Sequence, residues 1–137
     1  MSSRITVKFL QQRRNIQMSN TYQLEESGNA FLEAIGPIWV KQDSVYNIKI
    51  KIADNHVRPK IPVAHGGILA ALCDYAMAKS LVLNIDTELT VVTTSMSMDF
   101  IGSAKLDDWV ETDVHIIKHK GQVLNVECHL LDRKSVV

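Results

Sequence analysis

Apolar and polar positions recur along this chain with two periods, and the changes of period mark its elements. Tyr46, Ile48, Ile50 and Ile52 alternate with Asn47, Lys49 and Lys51, so Val45 to Ile52 reads as a half-buried strand with one wet face. Thr90 to Ile101 repeats the pattern, with Val92, Thr94, Met96, Met98 and Phe100 set against Thr93, Ser95, Ser97 and Asp99. Leu106 to His119 and Gln122 to Leu131 form two longer runs joined at Lys120-Gly121, which reads as a hairpin turn. Ile38 to Lys41 makes a short first strand, closed by Gln42-Asp43-Ser44. Ahead of it, Ala30, Phe31, Ala34 and Ile35 fall at helical spacing, and Gly36-Pro37 ends that short helix.

The stretch from Ala64 to Ala78 belongs to neither simple pattern. A turn-like His65-Gly66-Gly67 opens a segment that stays apolar on nearly every side to about Leu83 or Asn84, with Asp74 in its middle. A helix without a polar face is expected inside a fold. A carboxylate on it needs partners or work to do, because an unpaired buried charge costs several kcal/mol. The order is helix, two strands, a buried helix, three strands. It predicts an α+β fold in which one antiparallel sheet of about five strands wraps the long central helix. The helix's far face and the sheet edges then need cover, which a closed two-fold homodimer would supply.

Length bounds the chain to one domain with a real core, taken as residues 21–137 behind a flexible basic tail over 1–20. In that tail Arg4, Lys8, Arg13 and Arg14 precede any acid, the first of which is Glu25. An organelle-targeting segment or an extension ahead of a start at Met18 would show the same pattern. The 15 basic and 15 acidic residues cancel, and no basic run with interleaved aromatics is present, which argues against nucleic acid as a partner. No charge-free apolar run reaches the ~18–20 residues that span a bilayer, so no membrane span is expected. Cys73 and Cys128 are isolated in apolar surroundings, which fits a reducing, cytoplasmic setting.

The chemistry concentrates at the central helix. Its first N–H groups lack internal acceptors and carry the positive end of the helix dipole, and glycines there let a carbonyl approach closely. Gly66 and Gly67 therefore suit an oxyanion hole for acyl transfer. Asp74 lies eight residues beyond Gly66, roughly 12 Å along the axis, too far for one carbonyl to touch both. If both serve one site, they come from different subunits.

His65-Gly66-Gly67, six apolar residues and then Asp74 resembles the hotdog-fold acyl-CoA thioesterases of the phenylacetate-pathway type. Ser97 to Asp108 is similar to the family strand that ends in Phe-x-x-Pro-Ala-x-x-Gly-Asp. The resemblance, over roughly residues 28 to 133, implies a hotdog fold paired into dimers and often tetramers, with acyl-CoA as substrate and no cofactor. It implies Asp74 as general base or nucleophile, Gly66 and possibly Gly67 polarising the thioester carbonyl, and Thr93 orienting water. His65 and Gly67 would line the substrate site. The family's Asn or Gln before the His corresponds to Pro59, with Asn55 and His56 the nearest polar substitutes. Ser103 stands for the family proline, Asp107 for its glycine, and Lys79 for a small helix residue.

Other constellations are weaker. Cys73 should point about 100° away from Asp74 and reads as a small hydrophobe. His115 and His119 share a strand face some 13 Å apart, too far for one metal, with His129 and Asp113 nearby in sequence, so no metal site is expected. The departures at Pro59, Ser103 and Asp107 also leave room for a non-catalytic module that binds acyl-CoA or a fatty acid as sensor or carrier.

Overall fold

In the computed structural model the described residues are 2–8, 21–26, 28–85, 90–120 and 123–132. Strands β1 (Ser2–Lys8) and β2 (Gln23–Leu24) precede helix α1 (Ala30–Ile35), followed by β3 (Ile38–Gln42) and β4 (Tyr46–Lys51). A 3-10 turn (Asp54–His56) and a small hairpin, β5 (Val57–Arg58) and β6 (Ile61–Ala64), lead into the long helix α2 (Gly66–Asn84). Strands β7 (Ser95–Met98), β8 (Trp109–Lys120) and β9 (Val123–Asp132) complete the chain. The connection expected over Asn84 to Glu88 and the turn at Lys120-Gly121 lie mostly outside the described residues.

The main sheet is antiparallel and runs β2-β3-β4-β8-β9-β1-β7. The five expected strands are all in it, and β1 and β2 are additions. Residues 2–8, read from sequence as part of a flexible tail, instead pair with β9 on one side and β7 on the other, with Ile5 opposite both Val126 and Met96. The β-branched run Ile5-Thr6-Val7 favours extended backbone, and the slot between β9 and β7 supplies ladder partners on both edges. Residues 9–20 of the expected tail lie outside the described set.

Two further expectations change. The strand expected over 90–101 shortens to Ser95–Met98, because only Ser3 to Thr6 of β1 lie beside it. The loop expected over Asp54 to Ala64 contains the β5–β6 hairpin. Lys60 turns it at positive φ, and its second arm is bound to residues 104–106 by Ala64 N–H to Ala104 O and Leu106 N–H to Pro62 O.

The sheet curves around one side of α2. Leu69, Leu72, Cys73, Ala76, Met77 and Leu81 are buried against Ile48, Ile50, Val110, Val114, Val126 and Leu130. The opposite face of α2 is only half-buried, at Ile68, Ala71, Asp74, Tyr75 and Ala78. The helix is long and apolar enough to cross a membrane by length and composition alone. Its buried face and its two charges, Asp74 and Lys79, instead fit the core helix of a globular domain.

Buried polar groups fix how α2 and β8 meet β4. Ser80 Oγ accepts the Tyr46 N–H at 2.8 Å and lies 2.7 Å from Ala76 O, which locks the helix to the strand. Asn47, expected on the wet face, is buried. Its Oδ1 accepts from Val114 N–H at 3.0 Å and Thr112 Oγ1 at 3.3 Å, while Thr112 Oγ1 accepts from Ile48 N–H at 2.8 Å. Backbone pairing between β4 and β8 covers Lys49 to Lys51, and these two side chains continue the connection where the ladder stops.

Candidate active site

The start of α2 is held by backbone hydrogen bonds at His65. His65 stands at the cap with extended backbone and contributes no side-chain cap. Its N–H donates to His56 O at 2.8 Å, and its own carbonyl accepts from Ile68 N–H at 3.2 Å. The first-turn N–H groups of Gly66 and Gly67 have no acceptor within the helix. They stand at the positive end of the helix dipole.

His56 is a buried hinge beneath this turn. Its Nδ1 accepts from Ala53 N–H at 2.9 Å, and its Nε2 lies 2.7 Å from Ile35 O. A carbonyl can only accept, so the ring proton sits on Nε2. Asn55 Nδ2 donates to Ala34 O at 3.2 Å. Both residues thereby tie the 3-10 turn to α1, whose N-terminus is capped by Asn29 Oδ1 accepting from Phe31 and Leu32 N–H. The result is a cleft of about 300 Å³ lined by Phe31, Ile35, Asn55, His56, His65, Gly67, Ile68 and Ala71, among others. All four residues expected at the substrate site, His65, Gly67, Asn55 and His56, line this one cleft.

Gly66 lies beside it under a lid that sequence reading did not foresee. A Cβ built on Gly66 would stand 2.9 Å from the Phe100 ring, whereas one on Gly67 would meet nothing within 4 Å among the described residues. The alternation over residues 90–101 places Val92 and Phe100 on one face with Met96 and Met98. Those methionines do pack against the core, but Phe100 and Val92 are exposed.

Asp74 occupies a second locus, on the half-buried face of α2. The Thr93 hydroxyl donates to its Oδ1 at 2.7 Å. This bond ties one carboxylate oxygen of Asp74 to the segment that follows α2. Of the other partners open to Asp74, Tyr75 instead packs edge-on against Tyr46 with ring centroids 6.0 Å apart, and Lys79 Nζ lies over the Tyr75 ring. Burial, with Glu25 nearby, pushes the Tyr75 hydroxyl up from its ordinary pKa.

Cys73 and Cys128 are both fully buried beside each other, and contact with Cys73 plus burial pushes the Cys128 thiol far up, which removes it as a nucleophile. One cluster was missed from sequence. Asp113 and His129 face each other across β8 and β9, and His115 lies two residues along the same face. The expectation weighed His115 with His119 on one strand, whereas cross-strand register makes the group.

The chain thus combines an antiparallel sheet wrapped on one long helix with a glycine-rich helix start and a hydroxyl-held carboxylate two turns on. A family model described as the thioesterase superfamily matches residues 62–137, and the chain belongs to that superfamily, with its hotdog fold. A Pseudomonas aeruginosa protein named "Putative esterase" is 27% identical over 89 residues, which are 64% of this chain and 66% of the relative. The match thus spans just under two thirds of that relative's length.

Proposed function

We propose that this protein hydrolyses an acyl-CoA thioester to a free carboxylic acid and coenzyme A, at a site completed by a second copy of the chain. The superfamily supports thioester hydrolysis in general. The observation that carries the finer reading is the Thr93–Asp74 bond at 2.7 Å on a face of α2 that the chain's own sheet leaves half-covered.

The thioester carbonyl sits against the Gly66 and Gly67 N–H groups of one copy. Asp74 of the other copy, held at Oδ1 by Thr93, takes a proton from water through Oδ2. The water oxygen bonds to the carbonyl carbon, and the charge that develops on the carbonyl oxygen is stabilised by the helix start. Collapse breaks the C–S bond, and the departing thiolate takes up the proton. One copy cannot do this alone, since its own Asp74 stands roughly 12 Å along the helix from Gly66. The small residues Ala71 and Ala78 beside Asp74 allow a second surface to come close.

The test is thiol release from a panel of acyl-CoA thioesters. Wild-type protein should turn over at least one of them, and Asp74→Asn should lower kcat by at least about 100-fold with an unchanged thermal midpoint. Undiminished turnover by Asp74→Asn sinks the mechanism. Saturable acyl-CoA binding by wild-type protein without hydrolysis of any panel member would replace it with the sensor or carrier reading.

A further inference from the structure

The outer face of the β8–β9 pair, turned away from α2, carries a group of side chains that thioester hydrolysis does not use. Val110, Thr112 and Val114 are buried, so the alternating positions Asp113 and His115 face outward. On β9 the same alternation buries Cys128 and Leu130 and turns His129 outward. Register sets Asp113 directly opposite His129. His115 Nε2 lies 3.0 Å from Asp113 Oδ2, and the His115 and His129 rings meet edge-on at 6.0 Å between centroids.

We propose that Asp113, His115 and His129 form a binding site for a divalent transition-metal ion of the zinc type. Two imidazoles and one carboxylate are a borderline nitrogen and oxygen donor set, which favours Zn²⁺, Ni²⁺ or Cu²⁺ over Ca²⁺ or Mg²⁺. One ligand atom from each residue lies within 4.8 Å of the others. With metal–ligand bonds of about 2.0–2.1 Å, tetrahedral ligands stand roughly 3.4 Å apart. The His115–Asp113 contact at 3.0 Å is a little shorter than this and the widest pair in the group a little longer, so small side-chain turns close the set. The side chains of His115 and Asp113 are 57% and 45% exposed, so an ion can enter and rotamers can adjust without moving the backbone. Both residues stand on hydrogen-bonded strands, so the ligand spacing is held by the ladder rather than by a loop. Three protein ligands leave a coordination position for water or a further donor.

A lone His115–Asp113 ion pair is the competing explanation for the 3.0 Å contact. It does not require His129, and that residue is what separates the two. The experiment uses chelator-stripped full-length protein without a polyhistidine tag. Zn²⁺ binding is followed by titration calorimetry, and Co²⁺ substitution by visible absorption. One equivalent per chain is expected, with a rise in thermal midpoint as Zn²⁺ is added. His129→Ala should weaken binding at least about tenfold, and His115→Ala with His129→Ala should abolish both the Co²⁺ absorption and the Zn²⁺-dependent midpoint shift. The metal-free midpoints of these variants should match wild type, which shows that they fold. Absence of saturable binding by wild-type protein overturns the site, as does His129→Ala binding with wild-type affinity. The readouts are independent of hydrolysis, so the proposal stands or falls apart from the catalytic reading.

Discussion

The Phe100 ring lies 2.9 Å from the point where a side chain on Gly66 would begin, while the same point on Gly67 is open to 4 Å. Adjacent glycines at one helix start thus have different reasons for being glycine. At Gly66 a methyl group must displace an aromatic ring, which is itself 54% exposed and can yield. At Gly67 nothing among the described residues stands within 4 Å of a methyl, so a ligand in the cleft is what one would meet. Gly67→Ala should therefore keep or slightly raise the thermal midpoint, since alanine is the better helix former. The same change should lower kcat/KM for acyl-CoA at least about tenfold. Steady-state kinetics beside thermal melts check this, and a Gly67→Ala enzyme with full kcat/KM would remove the cleft from the substrate path.

Ser80 and Asn47 each accept a hydrogen bond from a buried backbone N–H on another element. Ser80→Ala leaves the Tyr46 N–H without its acceptor, and Asn47→Ala does the same to Val114 N–H. Each should destabilise by about 1–3 kcal/mol in urea unfolding. A loss within error for both would mean that water replaces these side chains.

Asp107 sits at φ 71°, in the left-handed region, at the position where the resembling family carries glycine. A β-branched residue there should cost about 1–2 kcal/mol. Asp107→Val should therefore melt below wild type. Asp107→Gly should melt at or above it, because the Lys51–Asp107 pair it forfeits is exposed and worth little. Equal midpoints for the two variants would show that the backbone relaxes out of this conformation.

Burial, followed by its hydrogen bond to Glu25, holds the Tyr46 hydroxyl above its ordinary pKa of 10.0, and Tyr22 and Tyr75 are raised for the same leading reason. Up to about pH 10 a tyrosine is protonated whether the chain is folded or not. Above that the unfolded chain releases protons that the folded one keeps, so stability must fall as pH rises. The thermal midpoint should drop above about pH 10, and Tyr46→Phe should make that drop shallower despite a lower midpoint at neutral pH. An identical slope in the variant would show that Tyr46 ionises freely in the fold.

What the sequence determined by itself was whatever is encoded over a few neighbouring residues. Period-two alternation marked β4, and the apolar run after His65-Gly66 marked α2 to within a residue of its observed end at Asn84. The helix rise alone separated Gly66 from Asp74. The resemblance added Thr93, for no local pattern ties residue 93 to residue 74. Tertiary structure decided the rest, because each remaining feature joins positions distant in sequence. The Thr93–Asp74 bond depends on where the segment after α2 returns to the helix. The contact of Phe100 with Gly66 joins the segment after β7 to the start of α2, and the burial of Asn47 depends on the reach of β8. Asp113, His115 and His129 form a cluster through strand register, which a one-residue slip would dissolve by turning His129 to the other face. Side-chain direction is a local property and could be read along the chain. Which directions meet is set by the packing of the whole sheet against one helix.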